Sequence, residues 1–382
     1  MRFCVLFTVV CLLVGCLLLP TQAVEMALPV KSALLMDAAT GTVLYESNSH
    51  EALAPASVTK VMTMLLIMEA IDGGNIHWDD TVTTSEAAAA KGGSQVYLKV
   101  GETMSVSDMV KSIAVSSAND CACAMAEHIA GSEAAFVDLM NKRAEELGME
   151  NTHFVNCTGL DDGADASAHK TSAYDIALMS RALLKDHPDI KKFTTIWMDT
   201  IRGGSFGLSN TNKMIRFYSG ATGLKTGFTS SAGYCLSASA ERDGMELIAV
   251  VMGAETSANR FAACKSMLDY GFANFALIDP QLSEEACVPV KLGTQASVNA
   301  VLQENKPMLI DKSQKSMVST EISLESEITA PVSKGQRLGT LTVKAGQQVL
   351  AQLPLVAQTQ VGKLTWGQMF GKLLQQFLLS KA

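Results

Sequence analysis

Aromatic side chains and basic charge are both in short supply in this sequence of 382 residues. Phe, Trp and Tyr make up 6%, and 30 Lys and Arg stand against 38 Asp and Glu. A nucleic-acid surface wants a basic patch interleaved with stacking groups, so the composition excludes that class of partner. No cysteine falls in a paired C-x-x-C pattern, which argues against a structural zinc, and neither metal nor cofactor is expected. The one apolar run of membrane-like length, residues 3–19, is short for a span. It follows Arg2 and leads to Pro20 and the small-residue site Thr21-Gln22-Ala23, so residues 1–23 are expected to be an export signal. Leu13-Val14-Gly15-Cys16 resembles a lipoprotein box, but the apolar run continues past Cys16.

Acidic residues are missing altogether after Glu327. The net charge of −8 therefore divides into +6 over the last 55 residues and −14 before them. A basic end points toward an anionic membrane surface. Three of nine cysteines (Cys4, Cys11, Cys16) leave with the signal, and Cys121, Cys123, Cys157, Cys235, Cys264 and Cys287 remain. An even count permits disulfides in an exported chain, with fifteen possible pairings. Cys121 and Cys123 stand two apart on a predicted helix and point in different directions. Mostly buried free thiols are expected.

What is present is a strand–helix–strand order. Residues 32–45 have the pattern of a hairpin turning at Ala39-Thr40-Gly41. Ala54-Pro55-Ala56 breaks the chain, and a helix is predicted over 57–71. Val61, Met64, Leu65 and Met68 recur there at three-and-four spacing, and Gly73-Gly74 stops it. Further helices are predicted over 106–115, 120–130, 132–147, 171–185 and 258–270, and strands over 233–240 and 245–252. Strands at both ends of a helical middle imply an α+β fold, one antiparallel sheet covered by a helical cluster. Composition changes near Ile278-Asp279-Pro280, and the short alternating runs over 281–358 predict a small all-β domain. Last come Trp366, Met369, Phe370, Leu373, Leu374, Phe377 and Leu378 on one helical face with Lys and Gln elsewhere. Such a helix lies in a membrane interface, or packs as a core helix on the small domain. The resulting division is a signal at 1–23, a catalytic domain at 24–278, a β-domain at 279–360 and an amphipathic anchor at 361–382.

Three short motifs follow in order: Ser57-Val58-Thr59-Lys60, Ser117-Ala118-Asn119 and Lys225-Thr226-Gly227, separated by 60 and 108 residues. A serine hydroxyl is a poor nucleophile until a base takes its proton, and three-residue spacing on one helix puts Lys60 within reach of Ser57. To serve as that base Lys60 must be neutral, through burial and a nearby cation such as Lys225. Ser117 can relay a proton, and the Asn119 amide can orient Lys60 and bind a substrate carbonyl. Lys225 and Thr226 at a strand edge offer a cation and a hydroxyl to a carboxylate, and Gly227 lets substrate backbone approach. Taken singly each motif has a plainer reading: a capping serine at Ser57, an N-cap at Asn119, a turn at Lys225-Thr226-Gly227.

With these motifs in this order the chain resembles the low-molecular-mass penicillin-binding proteins that are serine-type D-alanyl-D-alanine carboxypeptidases. Further stretches carrying the likeness are Asn156-Cys157-Thr158-Gly159-Leu160, Thr222 through Thr229, and Ala330-Pro331-Val332-Ser333-Lys334-Gly335. The resemblance implies a penicillin-binding-protein/β-lactamase-like catalytic domain. Ser57 would then be acylated with Lys60 as base, Ser117 and Asn119 would complete the relay, and Lys225 and Thr226 would engage substrate. The backbone N–H groups of Ser57 and Phe228 would form the oxyanion hole, and Arg260 would help to hold a terminal carboxylate. Sequence alone makes Arg260 an exposed helix residue. Implied partners are peptidoglycan stem peptides ending in D-Ala-D-Ala, β-lactams as inhibitors and a membrane surface, with the protein at the outer face of the cytoplasmic membrane. Rival readings are a β-lactamase, disfavoured because no Glu-x-x-Leu-Asn string occurs, and a membrane-bound penicillin sensor or scaffold that turns over poorly.

Overall fold

The computed structural model describes residues 26–161, 165–282 and 286–379. The expected export signal and Cys16 lie outside the described residues. Five strands make the central sheet: β1 (Ser32–Asp37), β2 (Val43–Ser47), β3 (Ala221–Thr229), β4 (Gly233–Arg242) and β5 (Met245–Ala254). Their order is β2-β1-β5-β4-β3 and every pairing is antiparallel, with Leu34 opposite Val250 where the early and late strands of the catalytic domain meet. β1 and β5 are nearly continuous apolar runs because both faces of the sheet are covered. Leu34, Met36, Ile248 and Val250 enter one core, while Ala33, Leu35, Leu247 and Ala249 enter the other.

The first core is filled by α1 (Lys60–Asp72), α2 (Val106–Ser116), α3 (Asn119–Ala130), α4 (Glu133–Glu146) and α5 (Ala173–Asp186). The second lies under α6 (Ser257–Asn274) through Ala263, Cys264, Met267 and Leu268. A Cβ on Gly271 would stand 2.4 Å from Leu247 Cδ1, so the glycine is what lets α6 lie close on the sheet. α1 is buried nearly all round, with Met62 and Ile67 as inaccessible as Met64 and Leu65. It is the central helix of the cluster.

The predicted start of α1 needs correction. Ser57 stands one turn ahead of the helix, on the 3-10 turn Ala56–Thr59, and Ala56 has a left-handed φ of +48°. Pro55 and that left-handed residue interrupt the backbone, so regular α-helix begins at Lys60.

Beyond α6, β6 (Phe275–Ile278) leads into β7 (Cys287–Lys291), β8 (Ser297–Leu302), β9 (Met308–Asp311), β10 (Val318–Leu324), β11 (Ile328–Thr329), β12 (Arg337–Ala345) and β13 (Gln348–Ala357). Six of these form the expected small β-domain in the order β10-β12-β13-β8-β7-β11. Val288, Val298, Leu338, Leu341, Leu355 and Val361 fill its core. β6 pairs antiparallel with β9, tying the end of the catalytic domain to the β-domain. α7 (Trp366–Leu379) closes the described chain. Its Trp366, Phe370 and Leu374 are exposed, so these three side chains do not join a core. Among the described residues no helix is long and apolar enough to cross a membrane. All six described cysteines are free; five are buried as expected, whereas Cys287 is exposed.

Candidate active site

Ser57 is half-buried and Lys60, three residues on, is fully buried. Lys60 Nζ lies 3.0 Å from Ser57 Oγ and donates to the Thr158 carbonyl at 2.8 Å. A carbonyl can only accept, so Thr158 fixes one N–H and, in the neutral amine, leaves the lone pair free to face the serine. Burial lowers the Lys60 pKa to about 7, against smaller raising influences from Cys157 and Asp120. The geometry of the first motif is that of a nucleophile and its base.

Of the two expected causes, burial is the one that dominates at Lys60. Lys225 is also fully buried, and its pKa falls well below the ordinary lysine value through burial first, then through repulsion from Lys60 and Arg260. The Lys225 Nζ donates to the Thr226 carbonyl at 3.0 Å. Thr226 Oγ1 donates to Thr211 Oγ1 at 2.7 Å, and Thr211 N–H donates to the Val115 carbonyl at 3.1 Å. Thr211 thus joins the strand of the third motif to the helix that ends at the second.

Gly227 serves a purpose the sequence reading did not give it. A Cβ there would lie 2.7 Å from the Pro55 carbonyl oxygen and 3.1 Å from Ser57 N. The glycine makes room for the nucleophile turn against β3, which brings the Phe228 backbone alongside. The Phe228 ring itself is exposed and rests on Tyr234, centroids 4.3 Å apart.

Ser117 and Asn119 occupy the predicted junction between α2 and α3. Ser117 is buried in a left-handed conformation, φ +64°, and non-glycine residues hold that geometry mainly where the surroundings impose it. Asn119 is the first residue of α3, not its N-cap. Its Nδ2 donates to the Gly92 carbonyl at 2.7 Å and does not orient Lys60, while its Oδ1 is buried without a partner. Asp120 holds the same loop by accepting from Val96 N at 3.1 Å and Leu98 N at 3.0 Å.

Arg260 is buried, not exposed. It donates to the carbonyls of Gly227 at 2.9 Å and Cys235 at 3.3 Å, and its Nε is left unpartnered. It supports β3 from behind.

Several residues that matter here carried no role in the sequence reading. Thr158 holds Lys60. Asn156 Oδ1 shapes the Thr158 loop by accepting from Gly159 N at 2.6 Å. Thr63 Oγ1 donates to the Cys157 carbonyl at 2.6 Å. Glu133 accepts from Cys157 N at 3.3 Å and pairs with Lys91 at 2.5 Å, so one half-buried carboxylate ties the Lys60 loop to the Asn119 loop. The signal available in advance was the stretch Asn156 to Leu160, which marked the loop but not its bonds.

Comparison with known proteins shows the family. A family profile described as D-alanyl-D-alanine carboxypeptidase matches residues 20–256, and one described as penicillin-binding protein 5, C-terminal domain, matches residues 283–363. The chain is 46% identical over 345 residues to D-alanyl-D-alanine carboxypeptidase DacF of Bacillus subtilis (strain 168), covering 89% of this chain and 87% of that protein. It is 34% identical to D-alanyl-D-alanine carboxypeptidase DacC of Escherichia coli (strain K12), covering 89% and 85%. The structure of penicillin binding protein 5 from Haemophilus influenzae superposes with a TM-score of 0.75 at 31% identity, over 89% of this chain and 99% of that one. Penicillin-binding protein D2 from Listeria monocytogenes in its ampicillin-bound form gives 0.59 at 32% identity, over 65% and 99%. With matches spanning the catalytic and the β-domain alike, the chain belongs to the D-alanyl-D-alanine carboxypeptidase family.

Proposed function

We propose that the protein removes the terminal D-alanine from peptidoglycan stem peptides through an acyl-enzyme on Ser57, and that β-lactams acylate the same serine. The carrying observation is Ser57 Oγ, 3.0 Å from a fully buried Lys60 amine. Neutral Lys60 takes the Ser57 proton as Oγ attacks the carbonyl carbon of the penultimate D-alanine. The new C–O bond leaves a tetrahedral oxyanion, which the N–H groups of Ser57 and Phe228 receive. When the C–N bond breaks, the proton passes by way of Ser117 to the amine of the departing D-alanine. A water then attacks the ester carbonyl as Lys60 takes its proton, and Lys60 hands that proton to Ser57 Oγ as the acyl C–O bond breaks, freeing the shortened peptide as its carboxylic acid and restoring the serine. An arriving carboxylate would draw a proton back to Lys225, giving it the cation it needs with Thr226 and, behind the strand, Arg260.

The protein is exported and works at the outer face of the cytoplasmic membrane, held there by α7. Support comes from the apolar N-terminal run, the exposed Trp366, Phe370 and Leu374, and the acid-free last 55 residues. The test of the chemistry is release of D-alanine from a peptide ending in D-Ala-D-Ala. Wild type releases it, and Ser57→Ala neither releases it nor forms a covalent adduct with a fluorescent penicillin. Stable penicillin labelling of wild type without D-alanine release would make the protein a sensor, and labelling of Ser57→Ala would remove the nucleophile assignment.

A further inference from the structure

A buried imidazole with no role in the chemistry above sits behind the Ser57 turn. His169 is 4% exposed. Val155 N–H donates to its Nδ1 at 3.1 Å. A backbone N–H can only donate, so Nδ1 holds the lone pair and the proton of the neutral ring is on Nε2. Nε2 lies 2.8 Å from Thr59 Oγ1 and therefore donates to it. The hydroxyl, its acceptor side taken, donates onward to the Ala56 carbonyl at 2.9 Å. The three bonds run in one direction, from Val155 through His169 and Thr59 to Ala56. Burial, with smaller influences from His153 and Lys60, lowers the pKa of the ring to about 4, so the neutral form persists across the neutral range.

The last bond in the chain falls on a strained residue. Ala56 directly precedes Ser57 and holds φ at +48°, a conformation that an L-alanine adopts only under constraint. Its carbonyl is pressed close to Gly159, where a Cβ would stand 1.9 Å from Ala56 O and 2.7 Å from Thr59 Oγ1. Gly159 adjoins Thr158, the acceptor for Lys60. Thr59 lies between the nucleophile and its base in sequence, and its hydroxyl is fully enclosed.

We infer that His169 is a positioning residue for acylation: it orients the Thr59 hydroxyl onto the Ala56 carbonyl and so holds Ser57 Oγ against Lys60 Nζ. It touches neither substrate nor reacting atoms. The inference rests on Ser57 as the nucleophile, and Ser57→Ala tests that separately.

The measurement is the second-order rate of acylation by a fluorescent penicillin, read apart from the deacylation rate and from Tm. His169→Leu keeps bulk without polarity, and Thr59→Val is close to isosteric. Each is expected to lower the acylation rate by about tenfold or more, the equivalent of roughly 1.4 kcal/mol in the barrier. The double variant should lose no more than the worse single, because both changes cut one chain of bonds. His169→Gln, which restores an N–H donor, should recover most of the rate. Wild-type acylation in Thr59→Val, or single losses that multiply in the double variant, would overturn the proposal. Thr59→Val decides the matter by itself should His169→Leu fail to fold.

Discussion

Lys60 sits where a charged amine is poorly tolerated, and the same burial governs both its reactivity and its effect on stability. Its pKa of about 7 in the folded protein compares with 10.5 for an ordinary lysine. As pH rises through about 7 the amine becomes neutral and able to take the Ser57 proton. Penicillin acylation should accordingly climb about tenfold per pH unit below 7 and level off above it; a flat profile would show that Lys60 is not the base. For stability the sign follows from proton counts. Between pH 7 and 10.5 the unfolded chain binds the proton that the folded protein has lost, so stability rises with pH across that window. Below pH 7 the full penalty for a buried charge is present, on the order of 5 kcal/mol for a shift of this size. Lys60→Met removes the amine and keeps the bulk. It should abolish acylation while leaving Tm at pH 6 no lower than wild type, and a clear drop in Tm would mean that the bonds to Ser57 and Thr158 outweigh the desolvation.

Strand β3 and the Ala56–Thr59 turn are in contact through a glycine, which makes Gly227 a spacer between elements. Gly227→Ala brings a methyl within 2.7 Å of the Pro55 carbonyl and 3.1 Å of Ser57 N. Because backbone has to move, acylation by penicillin should fall by about tenfold or more and Tm by several degrees, in keeping with an overpacking cost of roughly 1–3 kcal/mol. Unchanged acylation with a raised KM for the peptide would instead restore the sequence reading, in which Gly227 serves substrate approach. Much at this scale was legible beforehand. Apolar runs announced β5 and the β1–β2 hairpin, and Gly73 ended α1 where the structure ends it. The three motifs picked out Ser57, Lys60 and Lys225, and the structure places Lys60 against Ser57 and the Gly227 strand against the Ser57 turn. What connects those groups was not legible, because it consists of single bonds to backbone across long separations. Lys60 to Thr158 spans 98 residues, and Thr59 to His169 spans 110. Neither periodicity nor composition encodes such a bond. The left-handed Ala56 was hidden for another reason: alanine is not a residue that favours that conformation, so only tertiary context puts it there.

For the molecule as a whole, the acidic catalytic body is followed by a six-stranded β-domain whose last three strands already lie in the acid-free stretch that runs on into α7. That domain holds the base of α7 firmly. Thr294 N–H donates to the Gly362 carbonyl at 2.8 Å, Leu364 N–H donates to Leu292 O at 2.8 Å, and Lys372 Nζ reaches the Gly293 carbonyl at 3.4 Å. Trp366, Phe370 and Leu374, at four-residue spacing, then turn one apolar stripe outward. Attachment at an anionic surface would draw on that stripe and on the nearby lysines, each contributing about 1 kcal/mol close to the headgroups. Ending the chain at Thr365 keeps the bonds of Gly362 and Leu364 and removes the stripe. The shortened protein should leave the membrane fraction for the soluble one, lose its binding to vesicles of anionic lipid, and hydrolyse a soluble peptide at the wild-type kcat. Binding of the full protein should weaken with added salt and with neutral lipid, since the lysines act through screened charge. Membrane association that survives the truncation would transfer the anchor to the N-terminal run or to a lipid on Cys16, and a fall in kcat would give the β-domain and α7 a part in shaping the catalytic site.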